Sequence, residues 1–217
     1  MKQVKIFREL FNKKELRVFS RLDSPIKIQA FLDGLPYSTE DTYRCPRSVL
    51  RDRQADCFDG ALFGAAALRH IGHPPLILNL LPNDRDDDHV VALYKRAGCW
   101  GAVAKSNYFG LRFREPIYRT VRELVMSYFE LYFNVRGEKT LRSYSGPLNL
   151  QAFDKLNWMV SDGPLEAIAD RLDEIRRVPL ITRSMAARLS LADKRSYEAG
   201  MLGVNLAGVF KPPRKST

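Results

Sequence analysis

Gln54-Ala-Asp-Cys57-Phe-Asp-Gly60-Ala-Leu-Phe-Gly64-Ala-Ala-Ala-Leu68-Arg-His-Ile-Gly72-His-Pro-Pro75 is the stretch from which the rest of the chain is read. Ala and Leu dominate between Phe58 and Leu68 and no proline interrupts them, so this run predicts a helix. Asp56 can cap it by accepting backbone N–H groups that have no intrahelical partner, and Gly72 followed by Pro74 stops it. Cys57, Ala61, Gly64 and Leu68 stand at i, i+4, i+7 and i+11, so the sulfur shares a face with small residues that admit a close neighbour. A thiol in the first turn also sits at the positive end of the helix dipole, which favours thiolate and nucleophilicity. The competing expectation is a cysteine that only packs, as a small hydrophobe.

Beyond Pro75, Leu76-Ile-Leu-Asn-Leu-Leu81 has the pattern of a buried strand, followed by the polar loop Pro82-Asn-Asp-Arg-Asp-Asp-Asp88. His89-Val-Val-Ala-Leu-Tyr94 predicts a second strand, Ala97-Gly98 a turn, and Cys99-Trp-Gly-Ala-Val-Ala104 a third strand. A cysteine opens the helix and a histidine opens a strand behind it.

This order resembles the transglutaminase-like branch of the papain-type cysteine enzymes. The residues that carry the resemblance are Cys57-Phe-Asp-Gly-Ala with Ala67-Leu-Arg-His-Ile-Gly-His-Pro-Pro, His89-Val-Val-Ala-Leu-Tyr, and Gly98-Cys-Trp100, within residues 25 to 110. The resemblance implies that Cys57 is a nucleophile and His89 its base. The family's third member, an aspartate that orients the histidine (asparagine in papain itself), is expected four or five residues beyond Trp100, where Ala104 and Lys105 stand instead. Asn107 is the first substitute, since its amide oxygen can accept an imidazole N–H, and Ser106 the second. The oxyanion of acyl transfer needs donors: the Cys57 backbone N–H at the helix N-terminus is one, and Gln54 or Gln29 could supply a side-chain N–H. Tyr37, Tyr108 and Arg112 are the residues expected to meet substrate, a peptide or protein.

The implied fold is α+β: a papain/transglutaminase-like core, with the cysteine helix packed on a small antiparallel sheet, wrapped by N- and C-terminal helices. The expected organisation is a helical cover over residues 1–24, the core over 25–145, a C-terminal helical region over 146–210 and a solvated tail over 211–217. Val4, Phe7, Phe11, Leu16 and Phe19 recur among charges at near-helical spacing in the cover. Ser24-Pro25 starts a short helix ending near Asp33-Gly34. Residues 107–116 are expected as a loop over the mouth of the site, and Ile117 to Phe133 as one long helix. Further helices are expected from Leu165 to Arg177 and, with an interruption, from Ser184 toward Ala199.

A chain of 217 residues, 45% of them hydrophobic, can bury a full core. No run approaches the length of a membrane span and the N-terminus lacks a signal-peptide core, which points to a cytoplasmic protein. Three cysteines without framework spacing agree with a reducing compartment. The formal charge of +10 is spread as excesses of +4 over residues 1–56, +1 over 57–115 and +5 over 116–217. Without a dense basic stripe, no specific nucleic-acid partner is expected.

No cofactor or metal is expected either. Asp84, Asp86, Asp87, Asp88 and His89 are crowded, but the run lacks the glycine and distal glutamate of a calcium loop. Crowded aspartates could also raise the pKa of His89. Cys45, Cys57, His70 and His73 depart from zinc-ligand spacing. Cys99, beside Trp100 in an apolar strand, is expected to pack rather than to serve Cys57 as a redox partner. Substrate and oligomeric state are not legible. A second class of function fits the absent aspartate: a domain of this architecture that binds peptides or proteins without catalysis.

Overall fold

Residues 7–211 are described by the computed structural model. Helical residues 7–10 lead to α1 (Lys13–Arg21), whose cap is reciprocal: Asn12 accepts from the Lys14 and Glu15 backbone N–H groups while Glu15 accepts from the Asn12 N–H. Phe7, Phe11 and Phe19 from this cover stack among themselves, and Phe19 lies on Phe63, so the amphipathic spacing buries its aromatic face as expected. Val4 lies outside the described residues, as does the expected tail beyond Lys211. Next come α2 (Pro25–Asp33), with proline at its first position, and α3 (Pro46–Asp52).

The helix α4 (Cys57–His70) is capped by Asp56, whose carboxylate accepts from the Asp59 N–H. It ends before Gly72, whose φ of +100° turns the chain toward β1 at a conformation that L side chains resist. The strands are β1 (Leu76–Pro82), β2 (His89–Arg96), β3 (Cys99–Val103), β4 (Arg114–Tyr118), β5 (Leu141–Ser145), β6 (Leu148–Asn149) and β7 (Arg177–Pro179). They form one antiparallel sheet in the order β4-β3-β2-β1-β5-β7, with β6 paired to the start of β1. Ala97 and Gly98, both at positive φ, close the β2–β3 hairpin in the turn that matches strand twist.

Both faces of this sheet are covered, which is why β1 and β2 read as continuous apolar runs instead of alternating ones. Val90, Ala92 and Tyr94 join the core under α4, and Val91 and Leu93 join a second core with Leu124, Tyr128 and Tyr132. The small residues of α4 set how near it comes. A Cβ on Gly60 would stand 2.2 Å from the Lys105 Cβ, and one on Gly64 would stand 2.9 Å from Val103 Cγ2 and 3.2 Å from Ala92 Cβ. Only glycine lets the cysteine helix lie this deep over β2 and the end of β3.

Three expectations change. The segment expected as one helix from Ile117 to Phe133 is instead the end of edge strand β4, the helix α5 (Val121–Met126) and a 3-10 turn at Phe129–Leu131. Pro116 fits an edge strand, which need not donate on its outer side. Thr120 restarts the helix by accepting the Glu123 N–H, and the Ser127 hydroxyl bonds the Leu124 carbonyl at its end. The apolar stripe persists regardless: Leu124, Val125, Tyr128, Phe129 and Tyr132 are buried.

The loop expected over 107–116 gives its last residues to β4. The region 146–210, expected as helical cover, contributes β6 and β7 to the sheet beside α6 (Leu165–Glu174), α7 (Arg183–Ala186) and α8 (Lys194–Met201). The α6 helix stops short of Arg177 because that residue pairs with Ser145 in β7. Among the described residues no helix is long and apolar enough to cross a membrane.

Candidate active site

The meeting of α4 and β2 follows from strand register. Asn79 is opposite Val90, and the Asn79 backbone N–H donates to Ser145 Oγ at 2.9 Å, on the β5 side. Asn79 and Val90 are therefore a non-hydrogen-bonded pair, and the Val90 N–H faces away from β1, toward the side of β3. But β3 has parted from β2 after the Val103–Ala92 pair, because the Gln29 side chain has taken the Ala104 backbone: its oxygen accepts the Ala104 N–H at 3.0 Å and its amide donates to the Ala104 carbonyl at 2.9 Å. The first turn of α4 fills the vacated place. Cys57 lies there with the Val90 backbone N–H, one residue from His89, and the Tyr37 side chain as neighbours that act on its thiol.

His89 is 4% exposed. Its Nε2 lies 2.7 Å from the Leu111 carbonyl oxygen. A carbonyl can only accept, so Nε2 carries the proton and Nδ1 of the neutral ring keeps a lone pair. Burial, and to a lesser extent Arg114, depress the His89 pKa to about 4, with the Leu111 bond opposing them. The expectation that neighbouring aspartates raise it is corrected: the shift is downward and is led by removal from water. Burial likewise pushes the Cys57 thiol well above its ordinary value, reinforced by the negative charges of Asp56 and Asp88. This direction runs against the thiolate expected from the helix dipole. At rest the site holds a neutral thiol and a neutral imidazole.

The wall opposite is fixed by the segment from Tyr37 to Arg44. Tyr37 bridges Ala55 in parallel fashion, and the Ser38 N–H donates to the Ala55 carbonyl at 3.0 Å. The buried Arg44 guanidinium donates to Ser38 Oγ at 3.1 Å and pairs with Asp52, Asp59 and Glu40. The Arg44 N–H reaches Asp59 in the first turn of α4 at 2.6 Å. Asp59 is nonetheless pushed up to about 7 by burial and by Asp56. This pinning brings Tyr37 to the sulfur.

Of the residues expected in the site, the structure brings Tyr37, Tyr108 and His89 together around one cavity, whose walls do not include Cys57. Asn107 is not joined to His89. Its amide donates to the Asn205 carbonyl at 2.9 Å and the Gly208 carbonyl at 3.2 Å, and its oxygen accepts the Asn205 N–H at 2.8 Å. Ser106 caps the following turn by accepting the Tyr108 N–H. The orienting place is taken by Leu111, a carbonyl that no side-chain motif could reveal.

Gln54 gives one amide N–H to Glu40 at 3.1 Å, whereas both amide N–H groups of Gln29 are spent on Ala104 and Asp33. Arg112 pairs with Asp33 at 3.0 Å and donates to the Phe109 carbonyl. Tyr37 and Tyr108 stand with His89 around a small cavity of about 40 Å³, room for water alone. Tyr37 and Arg112 border a neighbouring groove of about 500 Å³.

The other constellations disperse. Asp86 accepts from Thr140 Oγ1 at 2.5 Å and Asp88 accepts from the Asn79 amide. Among the described residues no cluster of three or more His, Cys, Asp and Glu side chains is arranged to hold a metal ion. Cys45 bonds Ser48, His70 packs at a tilt against Phe7 and His73 meets Tyr94 edge-on. Cys99 is opposite Arg96, at the far end of β2 from His89, roughly 20 Å of strand away.

Solved structures give a partial likeness. A protein called a putative cysteine protease, from Cytophaga hutchinsonii, is 16% identical with a TM-score of 0.32, the match covering 48% of this chain and 36% of that one. Legionella pneumophila LapG, in an EGTA-treated structure and a second one, is 17% and 18% identical with TM-scores of 0.31, covering 48% of this chain and 58% of LapG. This chain thus spans less than two thirds of either neighbour. No protein-family model and no curated protein matches it.

Proposed function

We propose that the chain is a transglutaminase-like thiol enzyme acting on an amide or peptide bond of a peptide or protein, with Cys57 as nucleophile and His89 as general base and acid. The observation that carries this reading is a cysteine at the N-terminus of α4, which packs on β2, with a histidine opening β2 whose Nε2 is fixed on the Leu111 carbonyl. Nδ1 takes the thiol proton as sulfur bonds to the acyl carbon, and the tetrahedral oxyanion is met by the Cys57 backbone N–H at the helix end. The imidazolium, steadied by Leu111, returns the proton to the departing amine. Water, deprotonated by the same nitrogen, then breaks the thioester and restores the thiol; an amine in its place gives transfer.

The neutral resting pair and the lack of a carboxylate on His89 favour a second reading, a peptide-binding domain without turnover. Incubation with an unfolded protein, read by mass spectrometry for a Cys57 thioester and for cleaved or deamidated product, separates the two. The enzyme reading expects product that Cys57→Ser abolishes and His89→Gln reduces by roughly 10²-fold or more. Absence of thioester and product in every substrate, with binding retained, leaves the binding domain.

A further inference from the structure

The small cavity at His89 and the larger groove share Tyr37, Ser106 and Asn107, and one segment of the chain divides them. Gly208 and Phe210 wall the first; Leu202, Gly203 and Asn205 wall the second. Across this segment Asn107 pairs with both the N–H and the carbonyl of Asn205, as a neighbouring strand would, and adds the Gly208 carbonyl. Every bond is to backbone. The pairing is therefore indifferent to side chains. Gly208 lies flat on the opposite wall: a Cβ there would stand 3.0 Å from Tyr37 Cδ1 and 3.1 Å from Thr39 Cγ2. Leu202 and Leu206 point to solvent, 79% and 71% exposed, so these two side chains do not hold the segment in place.

We propose that the trough between Tyr37 and Asn107 is a peptide-binding site, that Asn107 reads the backbone of the bound peptide, and that residues 202–210 occupy that peptide's place in the resting chain. This deepens the thiol-enzyme reading by naming the substrate's form and path: a main chain with a free N–H and carbonyl opposite Asn107 and a residue without a side chain over Tyr37. The chain's own segment competes for the same bonds, so an incoming peptide must displace it.

The test uses the full chain in a Cys57→Ser background, so that binding is read whether or not catalysis exists. Gly208→Leu expels the segment from the Tyr37 wall while leaving the core of the fold untouched, which a thermal melt checks. A fluorescent synthetic peptide of residues 202–210 then binds this variant tighter than the chain with Gly208, roughly tenfold or more, as expected when the open trough is a minor state of about a tenth. Adding Asn107→Leu, or methylating the peptide nitrogen at the Asn205 position, weakens that binding on the order of tenfold each, whereas shuffling the other side chains about the glycine does not.

Equal binding with and without Gly208→Leu, or indifference to both Asn107→Leu and the methylated nitrogen, overturns the proposal. Tight, methylation-sensitive binding in a chain whose Cys57 form never makes thioester upholds the trough and removes the enzyme.

Discussion

The Nε2–H of His89 donates to the Leu111 carbonyl oxygen at 2.7 Å, so a backbone group, held by the turn at Phe109–Leu111, fixes the imidazole tautomer. The ring is neutral down to about pH 4 in the folded chain but takes a proton near 6.5 when unfolded. Between those values the unfolded state holds more protons, so this residue's contribution to stability falls as pH drops from about 6.5 toward 4, by about 3 kcal/mol in all. Asp86 and Asp88, raised to about 6, act in the opposite sense, their contribution being lost as pH rises from 4 to 6. Urea unfolding of His89→Gln against the parent, from pH 4 to 8, separates them: the difference between the two proteins should carry the histidine slope alone.

Cys57 is half-buried and its thiol is raised, so iodoacetamide should label it more slowly at pH 7 than an unstructured cysteine peptide. Faster labelling than the peptide at pH 6 would mean a resting thiolate and would contradict the neutral pair.

The depth of α4 over the sheet rests on two glycines. Gly64→Val pushes its side chain into Val103 and Ala92 and should destabilise by about 1–3 kcal/mol. Gly60→Ala, placed against the Lys105 Cβ and backbone, should lower the denaturation midpoint further than Gly64→Ala does.

Arg69, buried at the end of α4, makes two parallel bonds of 2.6 and 2.7 Å to Asp154, which also accepts from the Trp158 indole at 3.1 Å. Asp154→Ala leaves a buried guanidinium short of its carboxylate. Because Asp154 is itself 38% exposed, the loss expected in urea unfolding is about 2 kcal/mol, below the range for a fully buried pair.

Gln29 is expected to act on stability and not on the thiol. Gln29→Leu strands the Ala104 N–H and carbonyl and should cost about 1–3 kcal/mol, while the iodoacetamide rate of the folded Cys57 stays within about twofold of the parent. A large change in that rate with unchanged stability would return Gln29 to the oxyanion role that its position in the sequence first suggested.

The elements around Cys57 and His89 were legible because their signals are local. Asp56 can only cap, Gly72 can only turn, and the apolar runs of β1 and β2 need a sheet covered on both faces. The same reasoning failed from Ile117 to Phe133, where a 3.6-residue stripe was real but was assembled from a strand end, a short helix and a 3-10 turn. It reached Val178 onward as a brief extended stretch but put Arg177 at the end of a helix, since the pairing with β5 that makes Arg177–Pro179 a strand is not local.

The residues proposed for the site divide in the same way. The sequence by itself determined that a thiol begins a helix and an imidazole begins a strand, because caps, periodicity and turn residues act over a few positions. Which groups meet them was decided only by the tertiary structure: the Leu111 carbonyl in place of Asn107, the Val90 N–H freed where Gln29 draws the chain off β2, and the backbone of Asn205 and Gly208 in the trough. Those partners are mostly main-chain atoms, common to every residue type, and their positions depend on strand register and on contacts across nearly a hundred residues, which no local spacing encodes.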